Sequence, residues 1–471
     1  MTERARQRQT NGLWLACLAA LTLLRLILAG TLPVAPDEAY YWLWSRHLQA
    51  GYYDHPPMVA FFIRAGTLIF GHTALGVRLL GPLSAAAGSW LLWRAAEDFW
   101  PGRHAGLIAA GLFNATLLAG TGAVLITPDT PLLLFWTAAL AILGRLLSGR
   151  DRRWWLGLGA AGGAALLSKY TGGLLIAAVG LWLLSSREGR RQLGSPWPWA
   201  GLALAVLIFA PNLAWNATHG WVSYIKQGSR IAAFAPARAL RFLAELLLGQ
   251  IGLATPLVFG LMAAGVWRMA RLHSPSAQAL LWITLLPAGV FLEHGMFDRV
   301  QANWPAIIYP GACIAASGLP GILLARWLKP ALGLGFAMTL GVYLQSIAAV
   351  FPLPPARDPI ALQLAGWERF SVMLGARHAA FVTADDYATA AELAFHASRG
   401  ETVAAFGRRW RYLDLPGTQP LGGKSGVLVT RRANAACPAQ LGSLTRLSPH
   451  GPVMRYRLCQ VPAMPDGRLL P

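Results

Sequence analysis

The chain has 471 residues, 55% of them apolar and only 13% charged, with a mean hydropathy of +0.45, which excludes an ordinary soluble domain. Its formal net charge of +20 raises nucleic acid as a partner. Arginines anchoring loops at anionic headgroups explain that excess more simply, so we expect membrane lipids and no nucleic acid.

Crossing a hydrocarbon core of about 30 Å takes roughly 20 apolar residues in a helix. Runs of this kind predict spans at 12–34, 73–96, 104–124, 129–147, 154–170, 171–186, 200–217, 246–267, 277–294, 303–321 and 331–351, eleven in all. The first run is longer than a signal-peptide core and lacks a clear small-residue cleavage pattern, which favours a retained helix over a cleaved leader. The count depends on splitting 154–186 at Lys169-Tyr170-Thr171-Gly172-Gly173. Cytoplasmic loops should collect basic residues. Starting from Arg4, Arg6 and Arg8 inside, every second loop is basic: Arg94 with Arg103; Arg145, Arg150, Arg152 and Arg153; Arg187, Arg190 and Arg191; Arg268 and Arg271; Arg326 and Lys329. The N-terminus is therefore expected in the cytoplasm of a multi-pass protein of the bacterial inner membrane.

After Phe351, Pro352, Pro354 and Pro355 break the last helix, and the remainder is polar. We expect an all-α polytopic membrane domain over 1–351, with a long first outer loop at 35–72, and a small α/β domain over 352–471. In that tail the pattern predicts strands at 378–383, 425–430 and 453–461, and a helix over 385–398 capped by Thr383 or Asp385. An odd number of spans puts the tail outside the cell membrane. There Cys437 and Cys459 either form a disulfide or remain thiols, while Cys17 and Cys313 lie in apolar spans as packing residues.

Four clusters fall on the outer face by this topology. Pro36-Asp37-Glu38-Ala39-Tyr40-Tyr41-Trp42 follows the first span. Asp37 can simply cap a short interfacial helix, or, as a carboxylate at the membrane surface, take a proton from an attacking hydroxyl. In the same loop lies Tyr52-Tyr53-Asp54-His55-Pro56-Pro57; Asp54 is a candidate ligand for a divalent metal, although adjacent residues in extended chain point apart. Asp129 in Thr127-Pro128-Asp129-Thr130-Pro131 is an N-cap or a site residue, and Lys169 in Ser168-Lys169-Tyr170 snorkels or binds a phosphate. The fourth cluster runs from Glu293 through Asp298, Arg299 and Asn303-Trp304-Pro305, where Arg299 can grip a phosphate bidentately. Lys226, Arg230 and Arg238 add charge in the loop at 212–241.

At these residues the sequence resembles the bacterial branch of the dolichyl-phosphate-mannose protein mannosyltransferase superfamily, glycosyltransferase family 39. Among that branch's members is the aminoarabinose transferase that modifies lipid A. Asp37-Glu38-Ala39-Tyr40-Tyr41-Trp42 with Tyr53-Asp54-His55-Pro56-Pro57 carries most of the likeness; Thr127 to Pro131, Ser168 to Tyr170, Asn303 to Pro305, Asp385-Asp386-Tyr387 and Ala391-Glu392-Leu393 add to it. The resemblance implies a GT-C fold and a polyprenyl-phosphate sugar donor. It makes Asp37 the base or essential carboxylate with Glu38 beside it, and puts Asp54 where some relatives use an acidic residue near a metal. His55 falls where the aminoarabinose transferase has a lysine.

The expected function is inverting transfer of a sugar, on the extracytoplasmic face, to a lipid, glycan or protein acceptor. Asp37 and Glu38 are the catalytic candidates, and Lys169, Arg299 and Arg230 would neutralise the donor phosphate. Tyr53, Asp54, His55, Asp129, Tyr170, Asn303 and Trp304 would line the substrate. A transporter or flippase of lipid-linked sugars should place its ionisable residues near mid-membrane in repeated halves, and no repeat is visible. A polymerase or ligase of lipid-linked oligosaccharides differs only in substrate.

Overall fold

With no water in hydrocarbon to satisfy peptide groups, apolar segments must bond their own backbones, and the chain is mostly helical. The computed structural model describes residues 3–229, 234–375, 379–398, 401–405, 408–413, 421 and 423–462. Two compact units divide it: Met1–Ala29, His55–Val59 and Arg78–Val342 form the first, and Gly30–Asp54, Ala60–Val77 and Tyr343–Pro471 the second.

Six helices among the described residues are long and apolar enough to cross a membrane, or seven with one bent pair taken as a span. The six are Asn11–Thr31, Ala74–Phe99, Asp129–Leu147, Pro196–Thr218, Pro275–Phe297 and Gly321–Ala348. The expected span at 246–267 is that bent pair, Pro236–Ala254 and Pro256–Ala270, turned by 105°. Thr255 stands at the corner with φ +66, and Pro256 has no N–H to continue the ladder. The span expected at 104–124 breaks into Ala105–Asn114 and Leu117–Gly122, because Thr116 Oγ1 caps the second piece by accepting from the Ala119 N–H at 3.1 Å. The one expected at 303–321 begins as a 3-10 turn, Trp304–Ile307, and continues as Ile308–Ser317, half a membrane's length.

Small residues let helices of the first unit approach closely. A Cβ on Gly159, in the Trp154–Ser168 helix, would lie 1.9 Å from the Gly201 carbonyl oxygen of the Pro196–Thr218 helix; one on Gly163 would lie 2.9 Å from the Ala205 oxygen. This is the small-xxx-small contact of membrane helices. Gly159→Ala should therefore lower the thermal midpoint, an overpacking cost of about 1–3 kcal/mol or more, read by intrinsic fluorescence in detergent. Gly180→Ala, where nothing lies within 4 Å of an added Cβ, should leave it unchanged.

The second unit holds most of the expected first loop, apart from His55–Val59, and the tail. That loop contains two helices, Pro36–Arg46 and Met58–Phe70. The tail builds a five-stranded sheet of order β2-β1-β3-β5-β4 from β1 Val382–Ala384, β2 Val403–Ala405, β3 Gly426–Thr430, β4 Gln440–Ser448 and β5 Gly451–Val461. β1 runs parallel to β2 and β3, while β5 is antiparallel to β3 and β4. The expected first strand is displaced to 382–384, with residues 376–378 outside those described; β2 and β4 are additions. The helix expected over 385–398 is Tyr387–Phe395, and its cap is Asp386 rather than Thr383 or Asp385: Asp386 Oδ1 accepts from the Thr389 N–H at 2.8 Å. Trp367, Phe370, Leu374, Leu393, Val427, Val429, Tyr456 and Leu458 form the tail's core. Arg446 donates to the carbonyls of Leu362 and Ala365 and lies over the Trp367 ring at 4.0 Å. Cys437 and Cys459 are bonded, tying the approach to β4 onto β5; Cys17 and Cys313 are free.

Candidate active site

The Pro36–Arg46 helix starts where Pro36 supplies a helical φ at a position that needs no N–H. Its N-cap is Ala35, so Asp37 is not the cap; it sits in the exposed first turn, where the positive end of the helix favours an anion. Glu38 does the capping work. It is 1% exposed and accepts from the Ala35 N–H through Oε2 at 2.9 Å. The two adjacent carboxylates thus diverge, Glu38 buried to hold the helix start and Asp37 exposed.

Asp37 Oδ1 accepts from the Tyr387 hydroxyl at 2.7 Å. Asp54, buried, accepts through Oδ2 from the Tyr40 hydroxyl at 2.9 Å and from Arg409 Nε at 2.8 Å. Arg409 also lies over the Tyr387 ring at 4.0 Å, and the rings of Tyr40 and Tyr387 meet edge to face at 5.0 Å. Tyr53 stacks on Tyr412 with centroids 5.7 Å apart, and Gln49 Nε2 donates to the carbonyls of Tyr412 and Leu413. Burial holds the Tyr40 phenol far above its usual range, and burial followed by the Asp37 carboxylate does the same for Tyr387. Both are O–H donors at any physiological pH.

Against the same helix lies Glu392, fully buried on the Tyr387–Phe395 helix. Burial pushes its carboxyl up to about 7, against the counter-pull of His396 at 3.5 Å and of Arg446, with Glu38 adding to the rise. In the unfolded chain Glu392 loses its proton near its usual value, so between there and about pH 7 the folded state binds more protons. Stability should fall as pH rises through that window, by about 3 kcal/mol at most. Glu392→Gln should flatten the pH dependence of the thermal midpoint; an unchanged slope would rule the assignment out.

A second cluster stands in the first unit. Lys169 Nζ donates to Asp129 Oδ1 at 2.7 Å, Asn303 Nδ2 donates to Asp129 Oδ2 at 2.5 Å, and Trp304 lies under the ammonium at 5.8 Å. Neither bland reading of the pair holds. Asp129 follows the N-cap Pro128, and Lys169, 6% exposed, does not snorkel. Tyr170 accepts from Asn216 at 3.4 Å and leans on Tyr224. Arg299 is exposed and pairs with Glu245 at 2.8 Å, a residue that also faces Arg241. His55 is half-buried at the approach to the Met58–Phe70 helix, and Arg230 lies outside the described residues. Sequence reading missed Tyr387 and Arg409 as site residues, although Asp385-Asp386-Tyr387 stands out as a polar start to the tail's helix.

The metal allowed for at Asp54 does not fit its surroundings. That carboxylate already serves a guanidinium and a phenol, and among the described residues no three His, Cys, Asp or Glu side chains gather as a metal ion would require. The cation beside Asp54 is the chain's own arginine.

The family profile described as dolichyl-phosphate-mannose-protein mannosyltransferase matches residues 54–215. The lipid A galacturonosyltransferase RgtD of Rhizobium johnstonii is 30% identical over 330 residues, which are 67% of this chain and 66% of that protein, just under two thirds of its length. Among solved structures, ArnT from Cupriavidus metallidurans in the apo state superposes with a TM-score of 0.67 at 14% identity, covering 95% of this chain and 98% of that one. The same protein bound to undecaprenyl phosphate gives 0.66 at 15%, covering 94% and 97%. These two show the fold.

Proposed function

Because the chain belongs to the dolichyl-phosphate-mannose-protein mannosyltransferase superfamily of membrane glycosyltransferases, we propose that it moves a sugar from a polyprenyl-phosphate donor to a lipid acceptor of the lipid A class. The observation that carries this reading is the state of Asp37: an exposed carboxylate at a helix N-terminus, held through one oxygen by Tyr387, with no hydrogen bond to the other among the described residues. The kinship with a lipid A galacturonosyltransferase supports the acceptor class, and the likeness to a structure bound to undecaprenyl phosphate supports the donor.

In the proposed step an acceptor oxygen attacks the anomeric carbon, the carbon–oxygen bond to the donor phosphate breaks, and its electron pair leaves on that phosphate. One displacement inverts the centre through an oxocarbenium-like state. If the acceptor is a hydroxyl its proton passes to Asp37; if it is a phosphate, Asp37 orients it. Lys169 keeps two N–H bonds beyond the one it gives Asp129, and these, with Arg299, are proposed to neutralise the leaving phosphate. Residues 1–351 would form the membrane glycosyltransferase domain, with eleven spans, and 352–471 an extracytoplasmic domain at the inner membrane. The alternation of basic loops and the Cys437–Cys459 bond support that topology.

The test incubates purified protein in detergent with polyprenyl-phosphate sugars and a membrane-lipid extract, followed by mass spectrometry. Loss of sugar from the donor with a matching gain on a lipid is the expected outcome. Donors left intact with every acceptor unmodified, while the same protein reconstituted in vesicles carries them across the bilayer, would replace the transferase by a flippase.

A further inference from the structure

Tyr387 and Arg409 come from the tail, and the side chains they hold are the carboxylates of the first outer loop. An exposed carboxylate needs no such partner, since water solvates it without cost. Tyr387 nevertheless commits its one O–H to Asp37 Oδ1 at 2.7 Å. Its ring is fixed from two sides, by the edge of Tyr40 at 5.0 Å and by the Arg409 guanidinium at 4.0 Å. Those two neighbours are themselves fixed, because both donate to the same oxygen of Asp54. One buried carboxylate thus orders two side chains, and they order the ring whose hydroxyl orders Asp37.

We propose that Tyr387, steadied by Arg409, is a positioning residue for Asp37, so that the tail completes the reacting group of the first loop. This rests on the reading of Asp37 as the essential carboxylate. Binding Oδ1 sets the carboxylate plane and leaves Oδ2 for the incoming acceptor. Burial and the neighbouring Asp37 charge keep the phenol protonated, so the support is present across the working pH range.

The test uses full-length protein in detergent with the donors and lipid extract named above. Tyr387→Phe keeps the ring and removes only the hydroxyl. Its kcat should fall about 10- to 100-fold, as for a misplaced reacting group, with donor KM within about twofold of the parent and the thermal midpoint unchanged. On an Asp37→Asn background the same change should add nothing to the loss. Arg409→Lys, which keeps a cation at Asp54, should retain more kcat than Arg409→Ala. Parental kcat in Tyr387→Phe beside an inactive Asp37→Asn overturns the inference and leaves the reading of Asp37 standing. An equal further loss from Tyr387→Phe on the Asp37→Asn background also overturns it, since the tyrosine would then act independently. Full activity of Asp37→Asn overturns both. Should the Phe variant melt early, Arg409→Ala decides the matter: an undiminished kcat there refutes the proposal.

Discussion

Asp37→Asn is expected to lower turnover by about 10²- to 10⁴-fold while leaving the thermal midpoint where it was. The two halves of this expectation have separate causes. Asparagine keeps the shape of aspartate and can still accept from the Tyr387 hydroxyl, so the packing of the Pro36–Arg46 helix is preserved. What is lost is the negative charge proposed to take a proton or orient the acceptor. The neighbouring Glu38→Gln should give the opposite pattern, because Glu38 is buried and caps the helix: a lower midpoint, about 1 kcal/mol for a weakened cap, with a smaller effect on turnover. Mass spectrometry of donor and acceptor lipids reads the first quantity and thermal unfolding the second. Near-parental turnover by Asp37→Asn would remove Asp37 from the mechanism.

The second large effect concerns the Lys169–Asp129 pair. Removing one partner of a buried ion pair strands the other, at about 3–5 kcal/mol, whereas replacing both by apolar groups of similar size is often neutral. Lys169→Ala should therefore destabilise strongly, since Asp129 would keep only the Asn303 amide. Lys169→Met combined with Asp129→Leu should recover most of that stability, because Asn303 is exposed and water can serve it. This double variant isolates the ligand role from the structural one. If Lys169 holds the donor phosphate, the recovered protein binds polyprenyl phosphate weakly; parental donor affinity would leave the pair with a packing role alone.

Much of the helical framework was legible because hydrocarbon demands long apolar runs, and such runs stand out without tertiary information. The structure departs from the expected runs where local chemistry interrupts them. Thr116 offers a cap that a hydropathy count does not see, and the 105° corner at Thr255 depends on Pro256 and on the chain finding room to turn. In the tail, β3 and β5 showed themselves by apolar content, whereas β2 has three residues. β4 is irregular at Gln440/Gly442 and at Arg446/Leu447, which erases the alternation that marks a strand. At the candidate site, sequence reading picked out Asp37 and Asp54 because acids beside aromatic and proline residues are conspicuous. Arg409 was hidden: in Arg408-Arg409-Trp410-Arg411 one arginine among three reads as a solvated basic stretch. Its partner is 355 residues away in the chain, a pairing that no local pattern encodes.

That separation also orders events in time. Asp37 leaves the ribosome early, and the tyrosine that holds it is synthesised 350 residues later. At roughly 5–20 residues per second the interval is on the order of 20 to 70 seconds. Throughout it the first helices are already in the bilayer, among the very lipids on which the protein is proposed to act, but with Asp37 lacking its Tyr387 partner. If Asp37 is the reacting carboxylate proposed above, a chain whose synthesis stops short of Tyr387 is expected to be a poor catalyst.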